Sequence, residues 1–238
     1  MKRTSMLVGL MLTLIAETNA AVFSTEVRTL ETKITRTARL QYLVQIPSQY
    51  LTEGQRRWPL LVFLHGGSGR GSDIALVKRY GPPAVAEKIT DFPFVLVSPQ
   101  CAEGEIWTDT EALMAMIDTV QREYRIDSRR IYVTGISMGG RGALYLAYKY
   151  PSRFAGVAAL APISPIAAWG TGFGTTAVLI VHGDKDISAS IGDSQELVDA
   201  ARHANRSIDF TVLSGRDHFI ADFYEGTEIY DWLLKHRQ

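Results

Sequence analysis

The stretch that most constrains this chain is the heptapeptide TGISMGG at residues 134–140. It follows an apolar run at residues 131–133 and precedes a helical pattern at residues 143–147, so it is predicted to form a sharp turn from a strand into a helix. The flanking glycines allow strand and helix to approach closely, which leaves the hydroxyl of Ser137 exposed at the helix N-terminus. The same pattern also fits a glycine-rich turn whose serine only caps the helix. Partner residues further along the chain decide between the two interpretations.

Length, charge and cysteine content exclude several classes of protein. The 238 residues suit one α/β domain that buries a large core. The 25 basic and 25 acidic residues give a formal net charge of zero, which provides no attraction for nucleic acid or for an anionic membrane. Cys101 is the only cysteine, so the chain has no internal disulfide and no cysteine-based zinc site.

The N-terminus has the features of a secretory signal peptide. Residues 2–3 are basic, residues 6–16 form an apolar core too short to span a bilayer, and residues 18–20 offer small side chains for cleavage. The alternative is an N-terminal helix of the core. We expect a signal peptide over residues 1–20, a single domain over residues 21–238, and a secreted or periplasmic protein.

Apolar segments of strand length alternate with helical patterns from residue 60 to the end of the chain. This alternation is typical of an α/β fold, with a mostly parallel sheet and helices on both faces. Two earlier β-prone segments, residues 22–36 and 39–46, are predicted to form a hairpin at the sheet edge. The later strands are predicted at residues 60–64, 94–97, 131–133, 156–161, 177–181 and 208–213. Besides the helix after the serine, helices are predicted at residues 73–88, 109–124, 189–204 and 222–235. The first of these is expected to break at residues 81–83, and the second to have Thr108 as its N-cap.

A serine hydroxyl becomes a good nucleophile only when a base takes its proton. In strand–turn–helix motifs of this kind, an acid and then a histidine follow the serine along the chain. His218 has this order and lies in a loop directly after the last predicted strand, so it is the candidate base. The remaining histidines are predicted to have other roles: His65 and His182 at strand ends with backbone partners, His203 on a solvated helix face, and His236 two residues from the last residue.

The acid that orients the histidine should lie in the loop after the strand at residues 177–181. Asp184 and Asp186 both lie in that loop, and spacing alone does not decide which of them is the acid. Asp217 is adjacent to His218 in the sequence, which is a poor position for a bond to the histidine ring.

Preoriented donors must stabilise the oxyanion of an acyl-transfer intermediate. The N–H of Met138 lies at the N-terminus of the helix that follows the serine. A second N–H should come from the His-Gly-Gly sequence at residues 65–67, which follows an earlier strand. That stretch has neither the spacing nor the Gly-Lys-Ser/Thr ending of a phosphate-binding loop.

At this point the chain resembles a known family. It is similar to the compact serine carboxylesterases and predicted peptidases of the α/β-hydrolase superfamily, near the feruloyl esterase and polyhydroxybutyrate depolymerase branch. The similar motifs run in order along nearly all of residues 21–238: LHGG at 64–67, GSD at 71–73, SPQC at 98–101, Trp107, DSRRIYVTGISMGG at 127–140, YP at 150–151, RFA at 153–155, HG at 182–183 with Asp186, Gly215 with His218, and YDWLL at 230–234.

The resemblance implies specific roles for individual residues. It selects Asp186 over Asp184 as the acid, and it assigns the second oxyanion N–H to Gly67, with Gly66 as the alternative. The chain departs from the family pattern at residues 187–189, where a valine and a proline are usual, and at residues 163–176. Both segments border the pocket, so the sequence does not identify the acyl and alcohol parts of the substrate.

The expected function is hydrolysis of short-acyl or aryl (feruloyl-like) esters through a Ser-His-Asp triad and an acyl-enzyme. The alternatives are a serine peptidase that acts on short peptides and a non-catalytic binding protein on the same fold. The expected partner is a small-molecule ester. We expect no cofactor, no metal, no nucleic acid and no membrane span, and the sequence does not specify the oligomeric state.

The pocket is predicted to be open. Only about fifteen residues separate the strand that ends near Ala161 from the strand that starts near Ala177, which is too few for a large lid domain. Trp107 and Trp169 lie in loops after strands that should flank the nucleophile strand. Each is predicted to form an aromatic wall for the substrate, and the alternative for each is packing in the core.

Overall fold

The computed structural model describes Thr29 and residues 35–238. The predicted signal peptide at residues 1–20 lies outside the described residues, as does nearly all of the first predicted strand at residues 22–36. Residues 38–238 form one compact unit. In residues 35–238, no helix combines the length and the apolar character needed to cross a membrane.

The unit is built on a single sheet whose seven strands lie in the order β1-β3-β2-β4-β5-β6-β7. Strands β2 to β7 run parallel to their neighbours, and β1 pairs antiparallel with β3 at one edge. This arrangement confirms the mostly parallel sheet. The strands are β1 Tyr42–Gln45, β2 Trp58–Leu64, β3 Val95–Pro99, β4 Ile126–Ile136, β5 Gly156–Leu160, β6 Ala177–Gly183 and β7 Asp209–Leu213.

The central strands are buried on both faces because successive side chains point to opposite sides of the sheet. In β2, Leu60, Val62 and Leu64 pack into one core, while Leu61 and Phe63 pack into the other. Helices α2, α3 and α4 cover the first core, and α1 and α5 cover the second. The helices are α1 Pro82–Ala86, α2 Thr110–Glu123, α3 Met138–Lys149, α4 Ile191–His203 and α5 Glu228–Leu234.

One predicted break is confirmed, one helix prediction was too long and one cap was wrong. Residues 73–88 are interrupted at Gly81, as expected: a short 3-10 helix, Ile74–Lys78, precedes Gly81, which has a φ of 74°, and the two prolines after it begin α1. Residues 222–235 were predicted as one helix, but this region divides into a short 3-10 helix, Ala221–Glu225, and α5. Helix α2 is capped by Asp109, whose carboxylate accepts the N–H of Ala112; Thr108 still belongs to the preceding turn.

The segment between β5 and β6 contains only one short 3-10 helix, Ala167–Thr171, so no lid domain is inserted there. The loops after β2, β4, β6 and β7 all leave the sheet at its carboxyl end, because these strands run in the same direction. Four distant parts of the sequence therefore meet at this end of the sheet.

Candidate active site

Ser137 lies between the end of β4 and the start of α3, with φ 58° and ψ −119°. A non-glycine residue rarely adopts this conformation, which costs on the order of 1–3 kcal/mol. The backbone holds the turn: the N–H of Ser137 donates to the carbonyl of Leu160 at 2.8 Å. A Cβ atom on Gly139 would overlap the carbonyl oxygen of Leu64, so only glycine permits this approach of α3 to β2.

The structure brings Ser137, His218 and Asp186 into one hydrogen-bonded chain. The Oγ of Ser137 lies 2.9 Å from Nε2 of His218, and Nδ1 of His218 lies 2.7 Å from Oδ2 of Asp186. The Asp186 side chain is fully buried, while 14% of the His218 side chain is exposed. One ring nitrogen of His218 thus faces the hydroxyl and the other faces a buried carboxylate, the arrangement in which an imidazole can accept a proton from serine.

Asp186 is held as a charged group. Burial by itself raises the pKa of this carboxyl, but hydrogen bonds from the N–H of Ala189, from His218 and from the N–H of Ser188 outweigh it and lower the pKa below its usual value. Both of these N–H groups donate to Oδ1 at 2.8 Å. Oδ1 is therefore occupied by the backbone, and Oδ2 is left for the histidine.

Asp184 has a different place in the same loop. Its Oδ1 accepts the N–H of Gly215 at 2.7 Å, and its Oδ2 lies 3.4 Å from the hydroxyl of Ser214. Asp184 thus ties the loop after β6 to the loop that carries His218, and it does not contact the imidazole. Asp217 is also directed elsewhere, since it accepts the N–H of Phe219 at 2.9 Å.

His182 contacts Asp186, which sequence reasoning missed. Its Nε2 lies 3.2 Å from Oδ2 of Asp186 and 3.1 Å from the carbonyl of Ala189, and its Nδ1 lies 2.9 Å from the hydroxyl of Ser194. The prediction of a backbone partner was correct but incomplete. Burial lowers the pKa of His182, so the ring is neutral, with Nε2–H as donor and the Ser194 hydroxyl donating to Nδ1.

Among the described residues, His65 hydrogen-bonds only to backbone groups, as its strand-end position suggested. Its Nδ1 donates to the carbonyl of Gly66 at 2.6 Å, and its Nε2 accepts the N–H of Cys101 at 3.0 Å. Burial lowers the pKa of this histidine. The thiol of Cys101 is buried as well, which raises its pKa to about 11 and leaves it unreactive at neutral pH.

Two backbone N–H groups near Ser137 have no partner among residues 35–238, namely those of Met138 and Gly67. Met138 is the first residue of α3, where the helix itself supplies no acceptor. The N–H of Gly66 donates to the hydroxyl of Tyr80 at 2.9 Å. This bond explains why Gly67, and not Gly66, is the one of the pair that is free to donate to a ligand.

A cavity of about 300 Å³ opens beside Ser137. Trp107 lines it, and its indole N–H donates to the carbonyl of His65 at 2.9 Å. Trp169 does not line this cavity; it is buried against the rings of Tyr145 and Tyr148. The lining residues are Gly67, Arg70, Ile106, Trp107, Ser137, Met138, Arg141, Gly142 and Ile163. Within the described part of the chain, His, Cys, Asp and Glu side chains form no cluster of three that could hold a metal ion.

The sheet order, the crossing helices and the serine turn define the α/β-hydrolase fold, and solved structures agree. A thermostable esterase aligns with a TM-score of 0.70 at 23% identity, covering 84% of this chain and 60% of that one. A ferulic acid esterase aligns with a TM-score of 0.67 at 17% identity, covering 82% of this chain and 91% of that one. At these identities the likeness shows the fold alone.

The sequence itself identifies the family. Residues 36–219 match the family model described as "Esterase: Putative esterase", so the chain belongs to this esterase family. The chain is also 32% identical over 125 residues to "Putative esterase NocK" of Nocardia uniformis subsp. tsuyamanensis. That match covers 51% of this chain and 35% of the relative, so the chain spans only about a third of the relative's length.

Proposed function

We propose that this protein is a serine carboxylesterase with Ser137 as nucleophile, His218 as general base and Asp186 as the acid that orients it. The observation that carries the proposal is the continuous hydrogen-bonded chain from the Ser137 hydroxyl through His218 to the buried carboxylate. Membership of an esterase family supports the ester as substrate. It also favours an esterase over the peptidase alternative, since the triad itself serves both reactions.

The mechanism proposed here follows from the contacts of these side chains. Nε2 of His218 takes the proton of Ser137 as Oγ attacks the ester carbonyl, and Asp186 stabilises the resulting imidazolium. The N–H groups of Met138 and Gly67 donate to the oxyanion, and the collapse of the intermediate expels the alcohol, which receives the proton from His218. Water then attacks the acyl-enzyme with His218 again as base, which releases the acid and restores the hydroxyl.

We propose soluble esters with a short acyl or an aryl group as the substrates. The cavity beside Ser137 holds only about 300 Å³, and no lid domain is inserted between β5 and β6 to cover a long chain. The indole of Trp107 in the cavity wall provides an aromatic surface. The solved ferulic acid esterase with the same fold is consistent with an aryl ester.

An ester panel tests the proposal. Acyl chains of two to sixteen carbons and aryl acids such as ferulate are compared in wild type and Ser137→Ala, with kcat/KM as the readout. We expect a maximum at short-acyl or aryl esters and a loss of roughly three to six orders of magnitude in kcat for Ser137→Ala and for His218→Ala. A kcat/KM that rises steadily to the longest chains, with a jump above the micelle threshold, would contradict the open site. A kcat/KM for a short peptide amide that approaches the kcat/KM for its matched ester would favour the peptidase.

The aromatic wall has its own test in the same panel. Trp107→Ala should raise KM for aryl esters more than for acetyl esters, because only aryl groups stack on the indole. Trp232→Ala provides the matched control, since that indole donates to Asp209 and does not line the cavity. Equal effects of Trp107→Ala on both ester classes would show that this tryptophan is structural.

We also propose that the protein is exported, on the basis of the basic start and apolar core of residues 1–20. N-terminal sequencing of protein from a periplasmic or culture fraction should find a first residue near Ala21. Recovery of the active protein only from the cytoplasmic fraction, with Met1 still present, would refute this proposal.

A further inference from the structure

The cavity beside Ser137 has an unbalanced charge. Two of its nine lining residues are the arginines Arg70 and Arg141, and none is aspartate or glutamate. Arg70 lies in the loop after β2, next to the free N–H of Gly67, while Arg141 lies one helical turn beyond Ser137 on α3. The two arginines therefore line the same cavity as the candidate nucleophile from separate elements of the fold.

Arg141 has no carboxylate partner in residues 35–238. Its Nε donates to the carbonyl of Ser164 at 3.2 Å, and its guanidinium carbon lies 5.3 Å from the centroid of the Trp169 ring. These contacts fix the direction of the side chain and leave both of its Nη groups without a protein acceptor in the described region. A guanidinium offers five N–H donors, so most of the capacity of Arg141 is available to a ligand.

Within residues 35–238, Arg70 is also bound only to backbone carbonyls. Its Nε donates to the carbonyl of Gly67 at 3.2 Å and its Nη1 to the carbonyl of Glu105 at 3.4 Å. Six other arginines of the described chain each bind a carboxylate, which Arg70 and Arg141 do not: Arg56 with Glu53, Arg130 and Arg237 with Asp127, Arg153 with Asp118, Arg202 with Asp199, and Arg216 with Asp222.

We infer that the esters this site hydrolyses carry an anionic group, a carboxylate or a phosphate, which Arg70 and Arg141 bind while the ester carbonyl lies at Ser137. This inference rests on the proposed esterase function and refines its substrate class. A planar guanidinium matches such anions with two parallel N–H donors, and charge-assisted bonds of this kind are strong where water is partly excluded. The anion lies on either the acyl or the alcohol part of the ester, and the experiment separates the two.

Two matched pairs of esters test the charge. The acyl pair is mono-4-nitrophenyl adipate and its methyl ester, which differ by one carboxylate at the far end of the acyl chain. The alcohol pair is 4-acetoxybenzoate and methyl 4-acetoxybenzoate, which differ by one carboxylate on the leaving phenol. For each pair the readout is the ratio of kcat/KM for the anionic ester to kcat/KM for the neutral ester. A substitution that lowers the activity on both esters equally leaves this ratio unchanged.

We expect Arg141→Gln and Arg70→Gln each to lower this ratio by about tenfold to a hundredfold in at least one pair, the cost of losing a hydrogen bond to a charged group. The pair that responds identifies the part of the ester that carries the anion. Arg141→Lys should lower this ratio less than Arg141→Gln does, because lysine keeps the positive charge. Added salt should lower the ratio in wild type, because it screens exposed charges.

Arg129→Gln is the matched control. Arg129 is exposed, has no ion-pair partner among residues 35–238, and lies on β4 roughly 25 Å along the strand from Ser137. This variant should leave both ratios unchanged, and thermal melts check that every variant is folded. Ratios that are equal in wild type, Arg141→Gln and Arg70→Gln would overturn the inference while the esterase function stands. Absence of any Ser137-dependent hydrolysis across all four esters and the acyl panel would overturn the proposed function, and the inference with it.

Discussion

The segment after β2 (residues 65–71) and the segment at the end of β6 (residues 182–190) both begin with a fully buried histidine, yet the two rings have different partners. His65 bonds to the backbone of Gly66 and Cys101. His182 bonds to two side chains, Ser194 and Asp186, in addition to the carbonyl of Ala189. Both rings are neutral because burial lowers their pKa values.

The difference follows from what each segment contributes to the site. The segment after β2 provides a backbone N–H, that of Gly67. Such a group needs only a backbone that is held in place. His65, the Tyr80 hydroxyl and Arg70 supply that rigidity. The segment at the end of β6 presents a buried charge, and a buried carboxylate is costly unless several donors surround it. The donors from Ser188, Ala189 and His182 meet this requirement.

The largest expected effect tests which carboxylate of the β6 segment acts in the reaction. Asp186→Asn should lower kcat by about 10⁴-fold, because an amide neither stabilises the imidazolium nor holds the correct tautomer. Asp184→Asn is the control and should retain most activity, since that side chain only ties the loop at Gly215. An essential Asp184 with a dispensable Asp186 would reverse the assignment of the acid.

The next effect tests whether the β2 segment acts through its backbone. Gly67→Pro removes the N–H proposed as oxyanion donor and should lower kcat by roughly 10²- to 10³-fold. Gly67→Ala keeps the N–H, and its Cβ would meet only the flexible end of Arg70, at 3.2 Å from Nη2. It should therefore remain close to wild type. Equal losses in the two variants would mean that the shape of the loop matters, and not its N–H.

A smaller effect compares the two buried histidines in catalysis. His182→Gln should lower kcat by about tenfold, as expected for disturbing a hydrogen bond to a charged group. His65→Gln has no contact with Asp186, so its loss of kcat should be smaller. Equal losses of kcat in the two variants would reduce the role of His182 to packing.

The smallest effect is one that both histidines share. A buried histidine with a lowered pKa disfavours the folded state once the unfolded chain takes up a proton, below a pH of about 6.5. Between the folded and unfolded pKa values, each ring should lower the free energy of unfolding by up to about 1.4 kcal/mol per pH unit as the pH falls. Urea unfolding between pH 7.5 and 5 measures this slope. It should be shallower in His65→Gln and in His182→Gln, and an unchanged slope in both would show that other groups control acid unfolding.

The sequence by itself determined the fold and the position of the serine. Strands buried on both faces, such as residues 60–64 within β2, are continuous apolar runs, and the glycines around Ser137 are a local requirement of one turn. Chain order then indicated His218 as the base. Helix ends were less certain, as the wrong N-cap at Thr108 shows, because neighbouring residues compete for the same N–H groups.

Only the tertiary structure decided which polar groups meet. Spacing left Asp184 and Asp186 open, and the resemblance to a family chose between them, whereas the structure places Asp186 2.7 Å from a ring 32 residues away. The contact of His182 with Asp186, the bond that occupies Gly66, and the two arginines that share one cavity with Ser137 have no local signature. Distances between side chains on different strands depend on how loops leave the sheet, and no short window of sequence contains that information.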